Sequence, residues 1–330
     1  MQVFIAGATG VLGRRLVAEC VERGHEVVGL TRDDRGDELV RERGGEPRCG
    51  DVFDRESVVE AAAGADVLVH AATAIPTDTR PSDEDWALND RVRREGAENL
   101  VAAAGAVDAG RVLQQSVVWV ARQPDGSQFD ETDEPHPNRV TRSALDAERI
   151  VEQGAEDHGF DPVVLRGGWF YAPDTAHTRQ FGEGLLSGRL PIVGGGILGR
   201  QDATLSFVHV DDAARAFAAA AEGEATGTFH VVDDDPTTLA TFLRALADRL
   251  DAPEPRRVPS WLARFLVGKA SVRLLTNSMP TTNERLREAF DWEPAYPTHR
   301  EGLDQVVERW RETGTIRATG EGYEWTAPSP

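Results

Sequence analysis

Three glycines, Gly7, Gly10 and Gly13, punctuate the stretch FIAGATGVLGRRLV near the amino terminus. An apolar run precedes them and an amphipathic one follows, which predicts a strand, a tight turn and a helix. Glycine allows backbone angles and close approaches that a Cβ blocks. The helix start then offers free N–H groups and the positive end of its dipole. Together these seat a pyrophosphate, with Thr9, Val11 and Leu12 of the same turn beside it. The second strand-like run ends VVGLTRDD. The acid that would take a ribose 2′-hydroxyl is missing at Thr31, and Arg32 follows, where a guanidinium can grip a 2′-phosphate. Arg14 or Arg15 offers a second contact, while Asp33 or Asp34 could instead take a 2′-hydroxyl. A charge-assisted bond of this kind contributes about 1.5–3 kcal/mol, so NADP is favoured and NAD is the alternative.

The elements needed to hold such a turn are legible along the first half. Short apolar runs at 2–6, 26–31, 66–70, 111–115 and 162–165 alternate with helical patterns at 11–23, 55–62, 83–104 and 143–158. Nearly all-apolar strands between amphipathic helices predict an α/β fold: a Rossmann-type, doubly wound parallel sheet buried on both faces, with a smaller C-terminal substrate lobe. The expected division is a dinucleotide-binding domain over 1–166 and a substrate lobe over 167–312, partly interleaved with it. A flexible tail is expected over 313–330.

Composition narrows the function. The 330 residues carry a net charge of −20 and a pI near 4.8, which disfavours a nucleic-acid partner. Lys269 is the only lysine. A GC-rich genome would favour arginine codons. The acidic excess beside that usage also suits a protein kept soluble in concentrated salt, as in a halophile's cytoplasm. Two cysteines make no disulfide framework, no Cys/His spacing suggests a metal, and no apolar run is long enough for a membrane span. A cytoplasmic location is expected.

Further motifs then fall into order. GATGVLG, LTRD, GDVFD, VLVHAAT, GAENLVAAA, LRGGWFYAP, FVHVDDAARAF and AFDWEPAYPTHREGL occur in sequence. Together the chain resembles the extended short-chain dehydrogenase/reductases, which include NAD-dependent epimerases and dehydratases. That resemblance implies that Asp51 bonds the adenine amino group and Val52 lines its pocket. It also implies that Ala71, Ala72, Thr73 and Gly167 lie along the cofactor, and that the chain forms a homodimer through the helices near 83–104 and 143–158.

One departure dominates. The family's Tyr-x-x-x-Lys pair opens a helix that here reads VTRSALDAERIV, with Val140 and Ala144 in the two positions and Arg93 in place of an asparagine. Acid–base help of that kind is worth about 10²–10⁴-fold in rate. Ser116, in LQQSVVWV, stands at or one residue from the family's active-site serine. Replacement proton donors are His136, just before the altered helix, and Tyr171, at a position whose ring shapes the pocket; His209 faces the cleft by resemblance. Arg139 and Arg142 are candidates for the lysine's charge. Trp119 and Trp169 line the substrate region or fill the core. The basic amphipathic segment SWLARFLVGKASVRLL covers the lobe, docks a partner or touches a membrane surface.

Two functions follow. One is an atypical NADP(H)-dependent reductase, dehydrogenase or epimerase acting on a small carbonyl or hydroxyl substrate, sugar-like substrates included, with an altered proton path. The other is a non-catalytic NADP(H)-binding sensor or assembly protein.

Overall fold

A computed structural model describes residues 1–78, 81–193, 202–258, 277–320 and 322–327. The segment SWLARFLVGKASVRLL, with Lys269, lies outside the described residues. The large sheet is built on β1 (Gln2–Ala6), whose residues alternate between two apolar layers. Val3 and Ile5 join Leu16, Val17 and Phe217 on one side. Phe4 and Ala6 join Leu68, Leu100 and Val151 on the other. A strand buried on both faces cannot alternate polar with apolar, which is why the sequence shows continuous hydrophobic runs.

Beside β1 lie β2 (Glu26–Thr31), β3 (Glu46–Cys49), β4 (Val67–His70), β5 (Arg111–Val117) and β6 (Asp161–Gly167). The order in the seven-stranded sheet is β11-β6-β5-β4-β1-β2-β3, and every pairing is parallel. Helices α1 (Gly13–Glu22), α2 (Asp34–Arg41), α3 (Arg55–Ala61), α4 (Asp83–Val107) and α5 (Arg142–His158) make the crossovers. Helix α4 begins at a Ser82–Asp85 capping box, and α5 ends at Gly159 with φ 82°.

The seventh strand, β11 (Gly227–Val231), pairs with β6 although it follows the second lobe in sequence. Helix α7 (Val210–Glu222) packs on α1. The large sheet thus draws on residues well beyond 166. The second lobe carries three strand pairs. β7 (Trp169–Tyr171) runs parallel to β10 (Phe207–His209), and β8 (Ile192–Val193) parallel to β13 (Arg257–Val258). β9 (Thr204–Leu205) runs antiparallel to β12 (Thr237–Thr238). Helices α6 (Ala176–Leu186), α8 (Leu239–Arg249), α9 (Glu284–Ala289) and α10 (His299–Glu312) complete the described elements.

The expected tail needs correction. After Thr313 the chain forms an antiparallel hairpin, β14 (Ile316–Thr319) with β15 (Gly322–Trp325). Ile316 is buried, and Trp325 sits edge-on to the buried Trp310 with centroids 5.1 Å apart. An aromatic anchor of this size fixes a short hairpin that could not hold alone. Among the described residues, no helix is long and apolar enough to cross a membrane and no acid/His/Cys group could hold a metal.

Candidate active site

The turn after β1 is tightly specified. Gly7 has φ 94°, and a Cβ there would stand 2.5 Å from the Ala72 nitrogen. A Cβ on Gly13 would drive into the Gly7 carbonyl oxygen and stand 2.7 Å from its carbon. The turn closes by a bond from the Gly10 N–H to the Gly7 oxygen at 3.0 Å. Helix α1 starts at Gly13 with no side-chain cap and no acid in its first turn; the Arg14, Arg15 and Leu16 N–H groups bond Gly10 and Leu12, and the positive end of the helix dipole faces the turn. Within the turn Thr9 and Val11 are half-buried, Gly10 is exposed and Leu12 is buried.

At the end of β2, Asp33 caps α2 by accepting from the Gly36 N–H at 2.8 Å. One of the two acids that could have taken a 2′-hydroxyl is therefore engaged. Arg32 is exposed and makes no hydrogen bond or ion pair among the described residues. Arg14 and Arg15 do not add to it, because both pair with Asp174, and Arg15 also pairs with Asp211. That clamp between α1 and the second lobe had no signature in the sequence. Asp51 accepts from the Phe53 N–H at 3.0 Å, while Val52 is held through its oxygen by Asn99 at 2.9 Å. Ala71 is buried, Ala72 half-buried and Thr73 exposed, at the C-terminal end of β4. The following Ala74 N–H donates to Asn89 on α4 at 3.0 Å. Gly167 closes β6 and is buried.

The place of the missing pair is apolar. Val117, Val120, Ala144 and Leu145 form one buried cluster with Trp119 against it. Ser116 is not free to act there. Its hydroxyl donates to Glu148 of α5, which also accepts from Arg166 at 2.7 and 3.0 Å. The Ser116 hydroxyl is thus engaged with a buried ion pair. His136 is exposed, with only its backbone N–H bonded, to Val120, so its ring is a loop side chain and not a placed acid. Arg139 pairs with Asp90 at 2.7 Å. His209 caps α7 and meets Gln305 at 3.1 Å, a satisfied core histidine.

Tyr171 also departs from expectation. It is fully buried against Phe207, Phe242 and His209, and its hydroxyl has no partner among the described residues. Burial, with Asp233, Asp212 and Glu301 around it, pushes the phenol well above the ordinary range, so it holds its proton. Tyr171→Phe should therefore leave turnover within about twofold and stability unchanged or up to about 1 kcal/mol higher. Steady-state rates and a urea midpoint check this; a hundredfold loss of rate would return Tyr171 to the chemistry.

Two features escaped the sequence. Arg93, in the middle of α4, is 4% exposed and donates from Nη1 to the Val140 carbonyl at 3.2 Å and Ser143 Oγ at 3.3 Å. Its position was readable as a departure, but its aim was not. The other is His177, edge-on to Trp169 at 5.7 Å; Trp169 and Trp119, expected to line the substrate region or fill the core, have centroids 5.7 Å apart.

A model of the NAD dependent epimerase/dehydratase family matches residues 3–232. The chain is 38% identical over 315 residues to a 3-diazoavenalumate denitrifying reductase from a Streptomyces species, covering 92% of this chain and 99% of that protein. It is 31% identical over 333 residues to a 4-hydroxy-2-methyl-3-oxo-4-farnesyl-3,4-dihydroquinoline-1-oxide ketoreductase of Stigmatella aurantiaca, covering 93% and 96%. The fold superposes on the Thermotoga maritima UDP-glucose 4-epimerase solved with UDP-glucose, with a TM-score of 0.78, 20% identity and 95% and 99% coverage. The Thermus thermophilus UDP-glucose 4-epimerase in complex with NAD gives 0.74 at 23% identity, covering 93% and 99%. With the glycine turn, the sheet order and these matches together, the chain belongs to the NAD dependent epimerase/dehydratase family.

Proposed function

We propose that the protein is an NADP(H)-dependent reductase of a small, flat, electron-poor acceptor, acting without a side-chain proton donor at the reacting atom. The observation that carries the cofactor half is the pairing of an unengaged Arg32 with an Asp33 spent on its helix cap. Gly7, Thr9, Gly10, Val11, Leu12 and Gly13 would hold the pyrophosphate. Asp51 and Val52 would hold the adenine, and Ala71, Ala72, Thr73 and Gly167 the nicotinamide half. When bound, the cofactor supplies a hydride; the residues described here position it.

The substrate half rests on the apolar patch of Val117, Ala144 and Leu145 and the aromatic wall of Trp119, Trp169 and His177. Such a surface binds a planar π-system and gives no proton. It fits an acceptor whose electrons are already drawn off by conjugation, with protonation by water following hydride arrival. The reductive direction agrees with the names of the two relatives, one a reductase of a diazo compound and one a ketoreductase. The non-catalytic alternative has no support from either. The family likeness also supports a homodimer through α4 and α5, measurable by light scattering.

Titration of tryptophan fluorescence with NADPH and NADH tests the reading. NADPH should bind about 10- to 100-fold tighter, the worth of one charge-assisted contact, and Arg32→Ala should erase the preference. Equal affinities in the wild type, or no binding of either at low and high ionic strength, would overturn it.

A further inference from the structure

Arg93 poses an energetic problem. Its guanidinium is buried, yet both of its hydrogen bonds go to neutral oxygens, the Val140 carbonyl and the Ser143 hydroxyl. Of the two acids nearest in electrostatic influence, Glu148 is bonded to Arg166, while Asp90, one turn before Arg93 on α4, bonds Arg139 through Oδ2 and keeps a buried Oδ1 with no hydrogen bond among the described residues. No carboxylate pairs with Arg93 among the described residues, and its Nε and Nη2 make no hydrogen bond. Burial pushes the guanidinium down to about 10, the mark of a desolvated and under-compensated cation. Asp90 and Glu148 offset part of the desolvation cost at a distance, and an anion hydrogen-bonded directly to the guanidinium would offset more of it.

Its surroundings say where that anion would sit. One helical turn earlier on the same face of α4, Asn89 holds the Ala74 N–H at the end of the segment that follows β4. On the other side, Arg93 bonds the first turn of α5, next to Val140 and Ala144. The guanidinium therefore lies between the strand-end segment proposed to line the nicotinamide and the helix start where acid–base residues are missing. A guanidinium whose Nε–Nη2 edge is free suits a pair of oxygens in one plane.

We propose that Arg93 is the substrate-binding cation of this cleft, taking a carboxylate or similar oxyanion, so that the acceptor is an anionic molecule. This rests on the reductase reading and narrows its substrate class. It also gives a protein of net charge −20 a local means of holding an anion that its overall field repels.

The test uses NADP⁺-saturated protein and two probes of one shape, benzoate and benzamide, at constant ionic strength. Benzoate should bind the wild type at least 10-fold tighter than benzamide, measured by calorimetry or tryptophan fluorescence. Arg93→Gln should abolish that preference while leaving the NADPH dissociation constant within about twofold, and Arg93→Lys should restore part of it. Equal binding of the two probes by the wild type overturns the proposal without recourse to any variant. So does a preference that survives in Arg93→Gln, or a loss of NADPH binding in that variant. Failure of the wild type to bind NADPH at all would instead strike the reductase reading itself.

Discussion

Gly13→Ala lowers NADPH affinity by at least about 100-fold, the worth of two charge-assisted phosphate contacts at the weak end of their range. The cause is steric and local. The new methyl would overlap the Gly7 carbonyl oxygen and press on the Ala8 Cα at 2.8 Å, and both are backbone atoms that cannot rotate away. Relief requires the turn to open, which pulls Gly10 and the start of α1 off the pyrophosphate. Gly24→Ala is the control. Gly24 also has a positive φ, 85°, but nothing lies within 4 Å of its Cβ position. That variant should lose about 1 kcal/mol of stability from backbone strain and keep its nucleotide affinity. Calorimetric titration with NADPH, alongside thermal melts of both variants, separates the two effects. If Gly13→Ala binds as the wild type does, the glycine turn is not the phosphate site.

The contrast between those two glycines shows what a sequence can convey. Gly7, Gly10 and Gly13 sit between an apolar run and an amphipathic one, so their purpose is written in local order. The buried strands are equally plain where, as in β1 and β4, both faces are apolar. β3 was not, since EPRC lies at the sheet edge, exposed at both ends, and carries no apolar run. The position of β11 beside β6 depends on pairing residues 64 positions apart, which no local pattern encodes. The C-terminal hairpin looked like a tail because its anchors, Trp310 and Trp325, are isolated in polar sequence and meet only in three dimensions.

The site divides along the same line. Cofactor positions follow short contiguous motifs, and the absence of Tyr and Lys is a plain fact of spelling. What replaces them is a matter of aim. Asp33 could cap a helix or bind a ribose, and only the backbone of α2 decides. Tyr171 carries the right group, but its hydroxyl ends in a closed core against α10 at Gly302. Arg93 read as a mere departure until α5 was seen to lie over it.

Ser116 belongs to this class, and its bond to Glu148 predicts the second large effect. Glu148→Gln should destabilise the protein by about 3–5 kcal/mol, as breaking a buried pair usually does. Glu148 and Arg166 have side chains only 2% and 5% exposed, so the charge left on Arg166 has no water to take it up. Arg166 Nη1 already lacks a partner, which leaves the guanidinium little means of adjusting. At roughly 2–4 °C per kcal/mol for a large domain, the melting temperature should fall by about 6–20 °C. Replacing both partners, Glu148→Leu with Arg166→Met, should recover most of that loss, because the desolvation penalty disappears with the charges. Ser116→Ala should cost about 1.5–3 kcal/mol, a single hydrogen bond to a charged group, and should leave turnover within about twofold. In a double-mutant cycle Ser116 and Glu148 should couple strongly, while Ser116 and Arg93 should not. A Ser116→Ala enzyme of normal stability and hundredfold lower turnover would reverse the assignment: the hydroxyl would then serve the acceptor, and its bond to Glu148 would break whenever substrate binds.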